Sequence, residues 1–374
     1  MSDSIPISLI EDLRTYVLQQ ACAIQAIPAP SLRESQRASY LKEQLIQIGL
    51  PEVIQDEVGN VLACLPGGSG APLLLTAHLD SVFSEGQNLS LSRSESKITG
   101  PGIGDNALGL AVLLGIGLLG AQHQWHLPGD LWLVATVGEE GHGDLKGMKA
   151  IVRRFAARPV AYLVLEGIGL GRVVHRALAV RRYRIHVRAP GGHPWAAREI
   201  PSAIHTLIAI AHELLHVPLP ASPRTVINIG VIQGGVSVNT RAPEAWMDME
   251  LRCEEETPLE NLEVEIQRVL RQYRGWGRGI SVDLLHMGNR PAGSIPPSHP
   301  LVQKVRLCLA QFGIDATLEQ ASTDASAPLS QGYPAVCIGL ARGGRAHTAE
   351  EFIEIESVAL GLRQVVCLIQ NMWD

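Results

Sequence analysis

The chain has 374 residues, more than one domain usually needs, so two domains are expected. Hydrophobic residues make up 46% and charged residues 18%, a globular balance that leaves no room for a long disordered tail. A net charge of −6 suggests no basic face, which argues against nucleic acid and anionic membrane as partners.

The N-terminus, Met-Ser-Asp-Ser-Ile-Pro, has neither a positive n-region nor an apolar h-region, so no secretory signal is expected. The longest apolar stretch, Leu108 to Gly120, is too short and too rich in Gly to span a bilayer. The six cysteines form no CxxC pair and several lie inside apolar runs. They are expected to be reduced, buried thiols of a cytoplasmic protein.

The first fifty residues read as two helices. Ile10, Leu13 and Val17 recur at helical spacing, and Tyr40, Leu41, Leu45 and Ile48 do so again before Gly49 and Pro51. Short continuous apolar runs follow: Val61 to Leu65, Leu73 to Ala77, Leu131 to Thr136, Ala161 to Leu165 and Ala335 to Leu340. Bounded by Gly or Pro, such runs suit strands buried on both faces of a sheet. Helical stretches between them, notably Asn106 to Leu119, point to an α/β fold with a largely parallel sheet.

From about Arg181 to Asn289 the pattern alternates instead. The order is strand (Arg182 to Arg188), helix (Ser202 to His216), two strands (Thr225 to Ile232, Ala245 to Arg252), helix (Leu259 to Tyr273) and strand (Ile280 to Leu285). This is the ferredoxin-like βαββαβ pattern, with one sheet face covered. The expected division is a larger domain of residues 1–180 and 290–374, with residues 181–289 inserted as a smaller one.

The chemistry-bearing residues fall at corresponding places. His78 and Asp80 stand in Thr76-Ala-His-Leu-Asp-Ser-Val82, Glu139 and Glu140 follow the Leu131 run, Glu166 closes the Ala161 run, and His347 comes shortly after the Ala335 run. Asp105 ends a Gly-rich loop, Gly100-Pro-Gly-Ile-Gly104. In open α/β sheets the carboxyl edge of the strands is where ligands bind. Imidazoles and carboxylates gathered there are costly unless a cation neutralises them. That donor mixture suits zinc, with manganese or cobalt as substitutes. Singly, each has a simpler reading: His78 as a satisfied histidine, Asp105 as a helix N-cap, Glu139-Glu140 as a solvated loop. The Gly-rich loop does not match GxGxxG and leads into an acidic residue that would repel phosphate, which excludes a nucleotide site.

In this order, His78-x-Asp80, Gly104-Asp105, Glu139-Glu140, Glu166 and His347 resemble the motif set of the M20 family of metallopeptidases and deacylases, from about residue 74 to 350. The resemblance implies a catalytic domain holding two divalent ions, zinc above all, with the inserted domain as a lid and dimerisation module. Asp105 would bridge the ions, His78 and Glu166 would complete one site, and Glu140 and His347 the other. Asp80 would orient and polarise His78, and Glu139 would act as general base on the attacking water. Within the inserted domain His193 resembles the lid histidine that reaches a neighbouring subunit's site in dimeric members. Asn239 resembles a substrate-binding Asn, Arg252 an Arg that grips a substrate carboxylate, and Ser322-Thr323 a further substrate-contacting loop. Departures from the family pattern are Asn106 after the bridging Asp, the Gly141-His142-Gly-Asp144 stretch, and Glu166 where many members carry Asp.

The resemblance implies exopeptidase cleavage of short peptides, since the Ser-Thr-Asp-Ala loop and the His347-Thr-Ala-Glu-Glu351 ending are nearest to the family's peptidase T branch. The alternatives are an N-acyl amino acid deacylase (deacetylase or desuccinylase) and a metal-binding protein without activity; the presence of Glu139 argues against the last. The resemblance leaves a monomer or a homodimer through the lid open.

Overall fold

A computed structural model describes residues 7–196, 198–275 and 279–374, with the backbone alone at residues 7 and 8. The chain divides into two compact units, one made of the residues up to Ala177 with Gly293–Asp374, the other of Leu178–Ala292.

The first unit is built on a mixed sheet. Its centre is four parallel strands in the order Gly129–Thr136, Gly70–His78, Ala161–Ile168 and Ala335–Ala341. These are the continuous apolar runs of the sequence, and nearly every residue in them is buried, as strands covered on both faces must be. Val61–Leu65 and Glu52–Gln55 extend one side antiparallel. On the other side Arg172–Ala177 runs antiparallel to Ala335–Ala341 and pairs with Gly293–Ser294 and, in parallel, with Thr317–Ala321.

The helix Gly109–Gln122 is apolar on all sides and buried along most of its length, which is what an all-round apolar helix requires. Among the described residues, Ile103–Gln122 is the one helical run long and apolar enough to cross a membrane, and 89% of its apolar window is buried inside the unit. The expected helix start at Asn106 moves to Gly109, because Asp105 (φ −105°, ψ 89°) and Asn106 (φ −129°, ψ 38°) are not helical.

Cys308, on the helix Pro300–Gln311, and Cys367, on Ser357–Gln370, form a disulfide with Cα atoms 6.1 Å apart. This corrects the expectation of six reduced thiols and removes the cysteine argument for a reducing compartment. Cys22, Cys64, Cys253 and Cys337 are free thiols.

The second unit is a four-stranded antiparallel sheet in the order Thr225–Gly234, Glu244–Cys253, Ala179–Arg188, Ser281–Arg290, with helices Ala203–Leu215 and Glu256–Tyr273. In chain order that is two-three-one-four, the ferredoxin-like arrangement. Tyr183, Ile185, Val187, Met247, Met249 and Leu251 pack in the core with Leu207, Ile210 and Ile266 of the helices. The intervening positions carry cross-strand ion pairs, Arg182 with Glu250 and Arg184 with Asp248, each at 2.7 Å.

Candidate metal centre

His78 ends the Gly70–His78 strand, Glu139 and Glu140 follow Gly129–Thr136, and Glu166 lies near the end of Ala161–Ile168. Three adjacent parallel strands therefore deliver their functional side chains to one edge. The Gly104-Asp105 loop crosses that edge over Gly167, where a Cβ would stand 1.9 Å from the Gly104 carbonyl oxygen; the glycine after Glu166 is what admits the loop. The peptide bond between Asp105 and Asn106 is cis, and Asn106 Nδ2 donates to the Leu165 carbonyl at 2.8 Å.

Asp105 lies between two histidines. His78 Nε2 is 3.0 Å from its Oδ1, and His347 Nε2 is 3.0 Å from its Oδ2. His78 Nε2 is also 3.7 Å from Glu166 Oε2, and His347 Nε2 is 3.0 Å from Glu140 Oε1. Two donor triads result, His78-Asp105-Glu166 and Asp105-Glu140-His347, each with its ligand atoms within 4.8 Å of one another, and they share Asp105. The N-cap reading of Asp105 fails, since the helix begins at Gly109 with no side-chain cap. A third grouping, His78-Glu139-Glu140, is also that tight.

The electrostatics are those of a cluster short of positive charge. Burial pushes the Glu166 carboxyl up to about 7, although His78 pulls it down. Burial also opposes charge on Asp105 and His78, yet contact with His347 and His78 holds Asp105 well below the carboxylate range. Asp105, Asp80 and Glu166 hold His78 well above its ordinary value. Hydrogen bonds to Asp105 and Glu140 raise His347 to about 10. Protons on the imidazoles do here what a cation would do better. Three carboxylates and two imidazoles on two triads that share Asp105 fit a pair of divalent ions, and the donor chemistry suits zinc, manganese or cobalt.

Asp80 is fully buried. Its carboxylate accepts the backbone N–H groups of Glu139 (2.9 Å) and Glu140 (2.8 Å) and the hydroxyl of Ser31 (2.6 Å). Its closest contact with His78 is through its own carbonyl oxygen, 3.0 Å from Nδ1, with the carboxylate at 3.5 Å. Its carboxylate thus orients the Glu139-Glu140 turn more than the imidazole.

Several supporting residues were not evident in the sequence. Glu34 accepts from the Gly138 N–H at 3.0 Å, and the buried Arg37 guanidinium donates to the Leu79 carbonyl at 2.8 Å. The segment around residues 31–37 therefore braces both the His78 and the Glu139 turns. Glu351, fully buried, accepts from the N–H groups of Gly104 (2.7 Å), Asp105 (2.8 Å) and His347 (3.3 Å). A small sheet of Ser92–Arg93, Lys97–Thr99, Phe352–Glu354 and Gly343–Gly344 brings the His347 loop to the Asp105 loop. All of these bonds run to backbone groups, which leave no side-chain pattern to read.

The cluster forms one wall of a cavity of about 260 Å³, which Ser322 and Thr323 also line. His193, Asn239 and Arg252 belong to the second unit. His193 is exposed and its Nδ1 accepts from the Trp195 N–H at 3.3 Å. Asn239 is exposed and accepts from the Ser237 hydroxyl at 2.6 Å; Arg252 pairs with Glu250.

Residues 74–371 match the model of peptidase family M20/M25/M40. The chain belongs to that family. A probable carboxypeptidase of Arthroderma otae is 28% identical over 257 residues, 63% of this chain and 55% of that protein. The chain spans about half the length of the curated relatives it matches. Among solved structures, a tripeptidase of Staphylococcus aureus superposes with a TM-score of 0.78 at 22% identity, covering 96% of this chain and 98% of that one. A dinuclear metal-binding M20 peptidase of Bacillus subtilis superposes at 0.68 with 16% identity, covering 96% and 98%. These likenesses show that the M20 fold extends over nearly the whole chain.

Proposed function

We propose that the protein is a di-metal hydrolase that cleaves peptide bonds of short peptides as an exopeptidase. The observation that carries the reading is Asp105, whose two carboxylate oxygens each lie 3.0 Å from a different histidine, so that two donor triads share one residue. His78, Asp105 and Glu166 would hold one ion, and Asp105, Glu140 and His347 the other. Bound there, the ions would lower the pKa of water and polarise the scissile carbonyl.

The remaining steps fall to the chain's own side chains. Glu139 takes the proton of the attacking water at its carboxylate and returns one to the leaving amine nitrogen. Asp80 fixes the backbone of Glu139 and Glu140 together, so base and ligand keep their separate aims. The tripeptidase likeness and the carboxypeptidase relatives support a peptide substrate.

The inserted unit is proposed as lid and dimer contact, with His193, Asn239 and Arg252 meeting substrate; the motif resemblance supports this. Its edge strand Thr225–Gly234 leaves Val226, Val231 and Ile232 exposed, a surface suited to a second copy. Sedimentation of the wild type against Ile232→Glu tests that part: a dimer that the substitution dissolves is expected, and a monomeric wild type contradicts it.

The experiment for the activity is a panel of dipeptides, tripeptides, N-acetyl and N-succinyl amino acids, assayed after metal stripping and reloading with zinc, manganese or cobalt. Peptide hydrolysis that returns with metal is expected. Hydrolysis of acylated amino acids alone would replace the exopeptidase with a deacylase.

A further inference from the structure

The cavity wall holds residues that the metal centre does not use. Ile168, Val174 and Cys337 give it an apolar side, and Arg172 is its only Lys or Arg among the described residues. Arg172 opens the strand Arg172–Ala177, two places across the sheet from the strand that carries Glu166. Two strand spacings are about 10 Å.

The side chain does not point away from the cluster. The turn Gly169 to Arg172 is closed by the Arg172 N–H on the Gly169 carbonyl at 2.8 Å. Gly169 has φ +100°, and a Cβ on it would meet Arg172 Cδ at 2.6 Å, so the arginine stem lies back over the turn that leaves Ile168. The side chain thereby lines the same cavity as Asp105, Glu140 and Glu166. Glu319 takes the guanidinium at Nε (2.8 Å) and Nη2 (2.7 Å). Among the described residues nothing accepts from Nη1. The guanidinium is therefore held in place by one carboxylate while it retains donors for a second.

We infer that Arg172 binds a carboxylate of the substrate, the terminal α-carboxylate of a short peptide, and so selects for cleavage next to a free C-terminus. The inference deepens the proposed exopeptidase reading and rests on it. A substrate carboxylate enclosed in the cavity needs a cationic partner of its own, apart from the ions that Asp105, Glu140 and Glu166 would hold. Arg172 is that cation, and Ile168 and Val174 offer an apolar surface to the side chain between.

The test compares one peptide as free acid and as C-terminal amide on the metal-loaded wild type, Arg172→Gln and Glu319→Gln, with melting temperature and metal content checked for each. The wild type should prefer the acid about 10- to 100-fold in kcat/KM, the range of a charge-assisted hydrogen-bonded pair. R172Q should lose that preference, chiefly through KM, and hydrolyse the amide as the wild type does. E319Q, which keeps the guanidinium charge but weakens its anchor, should reduce the preference without abolishing it. Equal losses of acid and amide in R172Q, or an acid preference that survives in R172Q, would overturn the inference. A wild type that cleaves no peptide but cleaves acyl amino acids defeats the exopeptidase reading instead. The comparison is then N-succinyl against N-acetyl substrates: a succinyl preference lost in R172Q keeps Arg172 as the carboxylate binder, and one that persists removes it.

Discussion

The buried carboxylate of Glu351 accepts the backbone N–H of Asp105 at 2.8 Å, and with it the N–H groups of Gly104 and His347. One side chain thus joins the loop of the shared carboxylate to the loop of the second histidine. Replacing Glu351 by Ala strands buried donors on both loops and is expected to destabilise the fold by about 3 kcal/mol. Glu351→Gln, which keeps an acceptor, should lose less. Thermal unfolding checks the stability, and zinc affinity by competition with a chelator checks the site; both variants matching wild type would remove Glu351 from this role.

Glu139→Gln should retain both metal ions and lose activity by about a hundred- to ten-thousand-fold, because an amide cannot accept the water's proton. Metal content by elemental analysis, set beside kcat, separates the two effects. A variant with normal metal content and full kcat would show that the base lies elsewhere.

Gly167→Ala places a methyl group 1.9 Å from the Gly104 carbonyl oxygen. The Asp105 loop must move, at a cost of about 1–3 kcal/mol or more. Lower melting temperature together with weaker metal binding is the expected pair of results. A lower melting temperature with unchanged metal affinity would mean the loop does not depend on this approach.

Without metal the cluster holds protons. His347 stays protonated below about 10 and Glu166 below about 7. A divalent ion must displace those protons, so metal affinity should rise with pH and loading at pH 7 should release protons. Calorimetry in buffers of different ionisation enthalpy measures that release; its absence would contradict the protonation pattern. The stability of the metal-free protein follows the same sign. Both folded values are raised, so the stabilisation is full at low pH. It is lost as pH rises, through about 7 for Glu166 and about 10 for His347.

The central strands were legible because burial on both faces writes a continuous apolar run, as in Leu131 to Thr136 and Ala161 to Leu165. The second unit was legible because burial on one face writes alternation, as at Arg182 to Arg188. Arg172–Ala177 and Thr317–Ala321 were not: Arg-Val-Val-His-Arg-Ala has neither signature, and pairing with neighbours makes it a strand. Lys97–Thr99 and Phe352–Glu354 are too short to carry a period. The cluster could be read because its members sit next to strands, whereas Glu34, Arg37 and Glu351 act through backbone groups far away in sequence, and Ser31 through the distant Asp80 carboxylate. Asp80 could be located, but its chief partners, the N–H groups of Glu139 and Glu140, could not.

The central claim is that Asp105 joins two metal sites that serve hydrolysis. Its most direct test is titration of the metal-stripped protein with zinc while bound metal and peptide hydrolysis are followed together. Two ions bound per chain in the wild type are expected, with activity appearing as they load, and impaired binding at both sites in Asp105→Ala. A stripped protein that keeps full activity, or an Asp105→Ala variant that still binds two ions with wild-type affinity, would contradict it.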